Sequence, residues 1–176
     1  MPQNATHSFL YYDSPHITSV YPQYGPVRSK KDETMEITGS NFKCPEEGCD
    51  LKCKFGEEPF AMFTKGTVIS ETKIHCPIPK YAQPEILRVE VTLNGEDYTN
   101  DKHTYGYYDP FILNVHPRLI NPNGTTEITL YGYGFVNSTS TKNLKVRYDN
   151  PENKIKCSNK DCVHFGHFIS KNEIKV

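Results

Sequence analysis

The chain has 176 residues and a formal charge of −1, from 20 basic and 21 acidic side chains. That balance excludes the basic excess expected of a nucleic-acid surface, and no stretch approaches the ~20 apolar residues that cross a bilayer as a helix. The 13 Pro, 11 Gly, 12 Tyr and 9 Phe mix turn-formers with strand-formers, as in chains of many short strands.

The start, Met1-Pro2-Gln3-Asn4, has no basic stretch leading into an apolar one, so no signal peptide is expected. A duplication follows. Tyr11-Tyr12-Asp13-Ser14-Pro15-His16-Ile17, then Val20 and Pro22, returns as Tyr107-Tyr108-Asp109-Pro110-Phe111-Ile112, then Val115 and Pro117. Met35-Glu36-Ile37-Thr38-Gly39-Ser40-Asn41-Phe42 matches Ile128-Thr129-Leu130-Tyr131-Gly132-Tyr133-Gly134-Phe135. Lys52-Cys53-Lys54-Phe55 matches Lys145-Val146-Arg147-Tyr148, and Ile69 to Ile74 matches Ile169 to Ile174. Matches in one order mark a repeat. The expected boundaries are an N-terminal segment 1–12, a first repeat 13–109 and a second 110–176.

Within the first repeat, Met35, Ile37 and Gly39 alternate with Glu36 and Thr38. Leu87, Val89, Val91 and Leu93 alternate with Arg88, Glu90 and Thr92. Alternation puts one face in a core and the other in water. Asn94-Gly95 is the sequence of a tight hairpin turn, returning the chain through Tyr98 to Tyr105 and Tyr107. The expected fold is all-β, two tandem immunoglobulin-like sandwiches.

These residues resemble the IPT/TIG family of immunoglobulin-like domains. The first repeat carries the whole pattern: Pro15 to Pro22, Gly25-Pro26, Ile37 to Phe42, Phe55-Gly56, Ile74 to Pro77 and Asn94-Gly95. The second carries its first half, with Asn123-Gly124-Thr125 in the turn. The resemblance implies cell-surface, secreted or transcription-factor settings, since one fold serves many functions.

The second repeat stops two residues past Ile174, before any counterpart of the two closing strands. Conversely, Ser8-Phe9-Leu10-Tyr11-Tyr12-Asp13 resembles the end of the first repeat, Thr104-Tyr105-Gly106-Tyr107-Tyr108-Asp109. Neighbouring repeats of a longer array complete both ends in one reading. In the other, residues 8–12 of one copy add to the next copy, a head-to-tail homopolymer. One surplus strand against two missing ones favours the array.

Six cysteines allow 15 pairings. Cys53 aligns with Val146 and Cys76 with Val176, a joint loss expected of bonded partners. Cys44 and Cys49 bracket Pro45-Glu46-Glu47-Gly48, and Cys157 and Cys162 bracket Ser158-Asn159-Lys160-Asp161. The expected bridges are Cys44–Cys49, Cys53–Cys76 and Cys157–Cys162, which places the chain in an oxidising compartment. A weaker alternative is a zinc site from Cys157, Cys162, His164 and His167, whose spacing is not a common finger pattern. Sequons at Asn4, Asn123 and Asn137 fall in the tail, a turn and a loop, as glycan acceptors do.

No nucleophile elbow, phosphate loop or dinucleotide fingerprint occurs, and no cofactor is expected. Tyr11, Tyr12, Tyr105, Tyr107, Tyr108, Tyr131 and Tyr133 are read as packing residues, because tyrosine suits half-wet interfaces. The functional expectation is a non-enzymatic extracellular or cell-surface module for adhesion or assembly. Its partners are other copies, neighbouring repeats or cell-surface proteins. The alternatives are a cytoplasmic scaffold or cytoskeletal repeat, and a transcription-factor dimerisation domain.

Overall fold

The computed structural model describes residues 11–29, 31–44, 48–120, 126–137, 144–148 and 163–176. Every regular element among them is a strand. The first nine are β1 His16–Tyr21, β2 Tyr24–Pro26, β3 Thr34–Ser40, β4 Lys52–Phe55, β5 Met62–Lys65, β6 Thr67–Ser70, β7 Lys73–Pro77, β8 Glu85–Thr92 and β9 Thr104–Tyr108. The rest are β10 Phe111–His116, β11 Thr129–Tyr133, β12 Lys145–Arg147, β13 Val163–Phe165, β14 His167–Ser170 and β15 Glu173–Lys175.

The strands divide into two compact units. One holds β1, β3 to β7, β8 from Ile86, and the start of β9. The other holds β2, Gly106 to Tyr108 of β9, and β10 to β15.

In the first unit one sheet runs β1–β3–β7–β6, and another places β8 between β9 and β4, with β5 beyond. Alternation decides what faces inward. Met35 and Ile37 of β3, Cys53 and Phe55 of β4, Ile74 and Cys76 of β7, and Val89 and Val91 of β8 are fully buried. Each large side chain so buried contributes roughly 1.5–3 kcal/mol. Tyr105 joins them, its ring edge-on to Phe55 at 6.5 Å.

The second unit repeats the first sheet in the order β10–β11–β15–β14. The likeness reaches single hydrogen bonds. The register of β1 on β3 slips between Ile17 and Ser19, and that of β10 on β11 slips between the aligned Ile112 and Asn114. The Gly66 N–H donates to the Leu51 carbonyl, and the Gly166 N–H to the Leu144 carbonyl. The core comprises Ile128, Leu130, Phe135, Val146 and Ile174.

Two aligned positions explain their residue types. A Cβ on Gly39 would meet the His16 carbonyl oxygen and the Phe42 ring; one on Gly132 would meet the Phe111 carbonyl oxygen and the Phe135 ring. Two residues further on, Asn41 (φ 61°) and Gly134 (φ 71°) share the left-handed conformation, which Gly and Asn enter most readily.

Two expectations are corrected. Asn94-Gly95 does not make a two-residue hairpin, because the return strand β9 begins only at Thr104. Gly95 is at φ 82°, but Asn94 is not at positive φ. The Asn94 side chain instead accepts the N–H groups of Glu96 and Asp97, while the Thr92 hydroxyl accepts those of Asn94 and Gly95. Side-chain capping of this kind builds a longer turn than the primed types. Second, Tyr131 and Tyr133 do not pack inward: they are exposed, because they alternate with the inward Leu130 and Gly132 on β11.

Candidate interaction surfaces

The cysteines brace the first unit. Cys53 on β4 and Cys76 on β7 are bonded, with Cα atoms 6.0 Å apart, so the bridge ties the two sheets across the core. Cys44 and Cys49 are bonded with Cα atoms 5.2 Å apart and close a short loop. Both separations lie in the normal disulfide range. Cys157 and Cys162 lie outside the described residues, as do Asn4, Asn123, Ser8, Phe9 and Leu10.

Asn137 is exposed, as its sequon requires. His164 sits on β13 opposite Val146, with its ring 5.5 Å from that of Tyr148. His167 opens β14 opposite Lys175. Among the described residues no three of His, Cys, Asp or Glu converge as metal ligands.

An open cleft of about 570 Å³ lies where the approach to β1 meets the loop after β8. Tyr11, Tyr12, His16, Asp97 and Asp101 are among its walls. The loop is held firmly. The Ile17 N–H donates to Asp101 Oδ2 at 2.7 Å, and His103 Nε2 donates to the Ile17 carbonyl at 3.0 Å. Burial first, and then the Asp97 charge, pushes the Tyr12 phenol above its ordinary value. Tyr11 itself is 94% exposed.

Beside the cleft runs a polar stripe that sequence reading missed. Lys54 Nζ sits 2.8 Å from Glu90 Oε2 and 5.1 Å from the centre of the Tyr98 ring. Glu90 is buried although its neighbours Val89 and Val91 face the core. Alternation alone placed it on the wet face; β4 pairing with β8 puts Lys54 directly opposite.

The second unit presents a different surface. In the first, β4 is paired on both edges, with β5 and with β8. In the second, β12 pairs with β13 as a two-stranded sheet, and no described strand occupies the place of β8 or β9. The aligned inward residues record the difference. Ile17 is 5% exposed, and its counterpart Ile112 is 48% exposed. Val20 is buried, and its counterpart Val115 only partly so.

The family profile of the IPT/TIG domain matches twice, over residues 15–107 and 110–176. The chain belongs to the IPT/TIG family. Solved structures align with its IPT/TIG repeats at low identity. One structure of the full extracellular region of plexin A4 aligns at 14% identity and a TM-score of 0.47, covering 94% of this chain and 12% of that one. A second plexin A4 structure aligns at 12% and 0.45, covering 71% and 20%. A Bacteroides thetaiotaomicron protein of unknown function aligns at 17% and 0.43, covering 69% and 34%. The chain therefore spans about a third or less of each of these proteins. No curated protein matches its sequence.

Proposed function

We propose that this chain is a non-catalytic, extracellular structural module of adhesion or assembly type, a unit of a longer tandem array of IPT/TIG domains. The observation that carries the reading is the Cys53–Cys76 bridge between two fully buried positions. A bridge in that place persists in an oxidising compartment and is kept reduced in the cytosol. The exposed sequon at Asn137 and the two domains already in series agree with it. Contacts run through sheet edges and loops.

The test is secretion of the chain from eukaryotic cells, followed by alkylation and intact mass before and after reduction. All six cysteines are expected to react only after reduction, and glycosidase treatment is expected to lower the mass. Reactive Cys53 and Cys76 in the native chain would overturn the reading in favour of an intracellular scaffold.

A further inference from the structure

We infer that the cleft between the approach to β1 and the loop after β8 receives the guanidinium of an arginine side chain presented by a protein partner. Asp97 supplies the carboxylate, and the rings of Tyr11 and Tyr12 supply the stacking faces. The residues that line the cleft all belong to one compact unit. The site therefore goes beyond the module reading above and depends on neither an array nor a compartment.

Charge decides the class of ligand. Asp97 and Asp101 line the cleft, and no Lys or Arg does. A concave surface lined by charge of one sign focuses its field and concentrates the opposite charge, so the cleft selects cations. The two carboxylates are not equivalent. Asp101 is used by the fold: its Oδ2 accepts the Ile17 N–H at 2.7 Å, and its Oδ1 faces His16 Nδ1 at 3.4 Å. Asp97 is held by Asn94 instead. Its N–H donates to Asn94 Oδ1 and its Oδ2 accepts from Asn94 Nδ2, each at 2.9 Å. Its Oδ1 has no partner among the described residues. An anchored carboxylate with one oxygen unoccupied is in place before a ligand arrives, which lowers the ordering cost of binding.

The rings decide which cation. Tyr11, Tyr12 and Tyr98 line the same cleft, and an aromatic face attracts a cation within about 6 Å of its centre. Tyr98 already holds one, since Lys54 Nζ lies 5.1 Å from its ring centre. That ammonium is paired with Glu90 and leaves Asp97 uncompensated. Tyr11 and Tyr12 are 94% and 37% exposed, and Tyr12 is near enough to Asp97 for that charge to act on its phenol. A guanidinium uses both kinds of wall at once. It is planar and weakly hydrated, stacks on a ring and donates in its plane to a carboxylate, whereas an ammonium is a compact, strongly hydrated point charge. A volume of about 570 Å³ is that of a ligand pocket and admits the side chain with its flanking backbone.

The experiment is an amide NMR titration of the whole chain with the blocked peptide Ala-Arg-Ala at about 0.1–20 mM, a range suited to weak binding. Peptides with citrulline or lysine in the central place, and maltotriose, are the comparison ligands. The arginine peptide is expected to shift amide signals within residues 11–16 and 97–101 saturably, and added salt is expected to weaken it. Citrulline, the neutral isostere, is expected to bind at least about tenfold more weakly. Asp97→Asn keeps the oxygen that Asn94 bonds and removes the charge; it is expected to lose about the same factor. Tyr12→Ala is expected to lose roughly two- to fivefold. Asp13→Asn removes a neighbouring charge outside the cleft lining and is expected to leave the affinity unchanged.

The absence of saturable shifts overturns the inference, as does equal binding by the citrulline peptide or by Asp97→Asn. A lysine peptide that binds as tightly overturns the assignment to a guanidinium. Maltotriose shifting the same amides while the arginine peptide is inert overturns it in favour of a sugar site. The Val91 amide, bonded to Thr99 Oγ1, reports whether the loop survives the Asp97 substitution. If it has moved, the citrulline comparison on the unmodified chain decides.

Discussion

Replacing both Cys53 and Cys76 by valine separates the covalent contribution of the bridge from the packing of its side chains. The second repeat already carries valine at both aligned positions, Val146 and Val176, so the pair suits this core. The bridge spans 23 residues of sequence. Closing a loop of that length removes denatured-state entropy equivalent to about 3.4 kcal/mol at 25 °C. With a urea slope of about 2 kcal/mol/M, the unfolding midpoint of the first unit is expected to fall by roughly 1.7 M. Because the bridge lies within one of the two compact units, the readout is hydrogen exchange at Val89 and Val91, whose amides are bonded to the His103 carbonyl and the Thr99 hydroxyl. Exchange at Leu130 and Ile174 in the second unit serves as the internal reference. Substitution by alanine is expected to cost more, since it adds cavities at two fully buried sites. A valine variant whose midpoint stays within about 0.3 M of the parent would refute the argument. It would mean that the bridge contributes no constraint beyond what the packed sheets already impose.

Gly39→Ala is expected to destabilise the first unit by about 1–3 kcal/mol, because the new methyl meets the His16 carbonyl and the Phe42 ring; thermal unfolding of the variant reads this, with Gly132→Ala as the second-unit counterpart. Glu90→Gln leaves Lys54 half-paired on a largely buried stripe and is expected to cost about 1–3 kcal/mol. Replacing both residues by apolar ones is expected to restore much of the loss, which a double-mutant cycle measures. The Glu36 carboxyl is held below its usual range, first by its hydrogen bond from Lys73, with His75 contributing. Its folded value lies below its unfolded one, so the stabilisation is present above the ordinary carboxylate range and lost as pH falls through the folded value. An NMR titration of Glu36 is expected to move back to the usual range in Lys73→Met, and an unchanged curve would contradict the pairing.

Much of the fold was legible in the chain. Alternation at Met35 and Ile37, and at Leu87 to Leu93, identified strands and their inward faces because a strand's side chains have a period of two. The duplication was legible because Gly39 and Gly132 fill the same tight contact, which only a missing Cβ permits. Turn chemistry was less legible. Asn94-Gly95 has the sequence of a two-residue hairpin, yet Thr92 and Asn94 cap neighbouring N–H groups with their side chains and carry the loop on to Thr104. Which residues compete for those donors is settled by three-dimensional contacts that dipeptide identity does not encode.

Sequence by itself determined the all-β class, the two copies and the order of the strands, because these follow from periodicity and self-similarity along the chain. Tertiary structure decided three things. Tyr24, Gly25 and Pro26 form a strand parallel to Gly106–Tyr108, a pairing between distant segments. Glu90, which read as a solvated position, is buried against Lys54, since burial depends on what the neighbouring strand brings. The different exposure of the two units became visible only when Ile112 could be set beside Ile17: the two residues are identical and share a register, but Ile17 is buried and Ile112 is exposed.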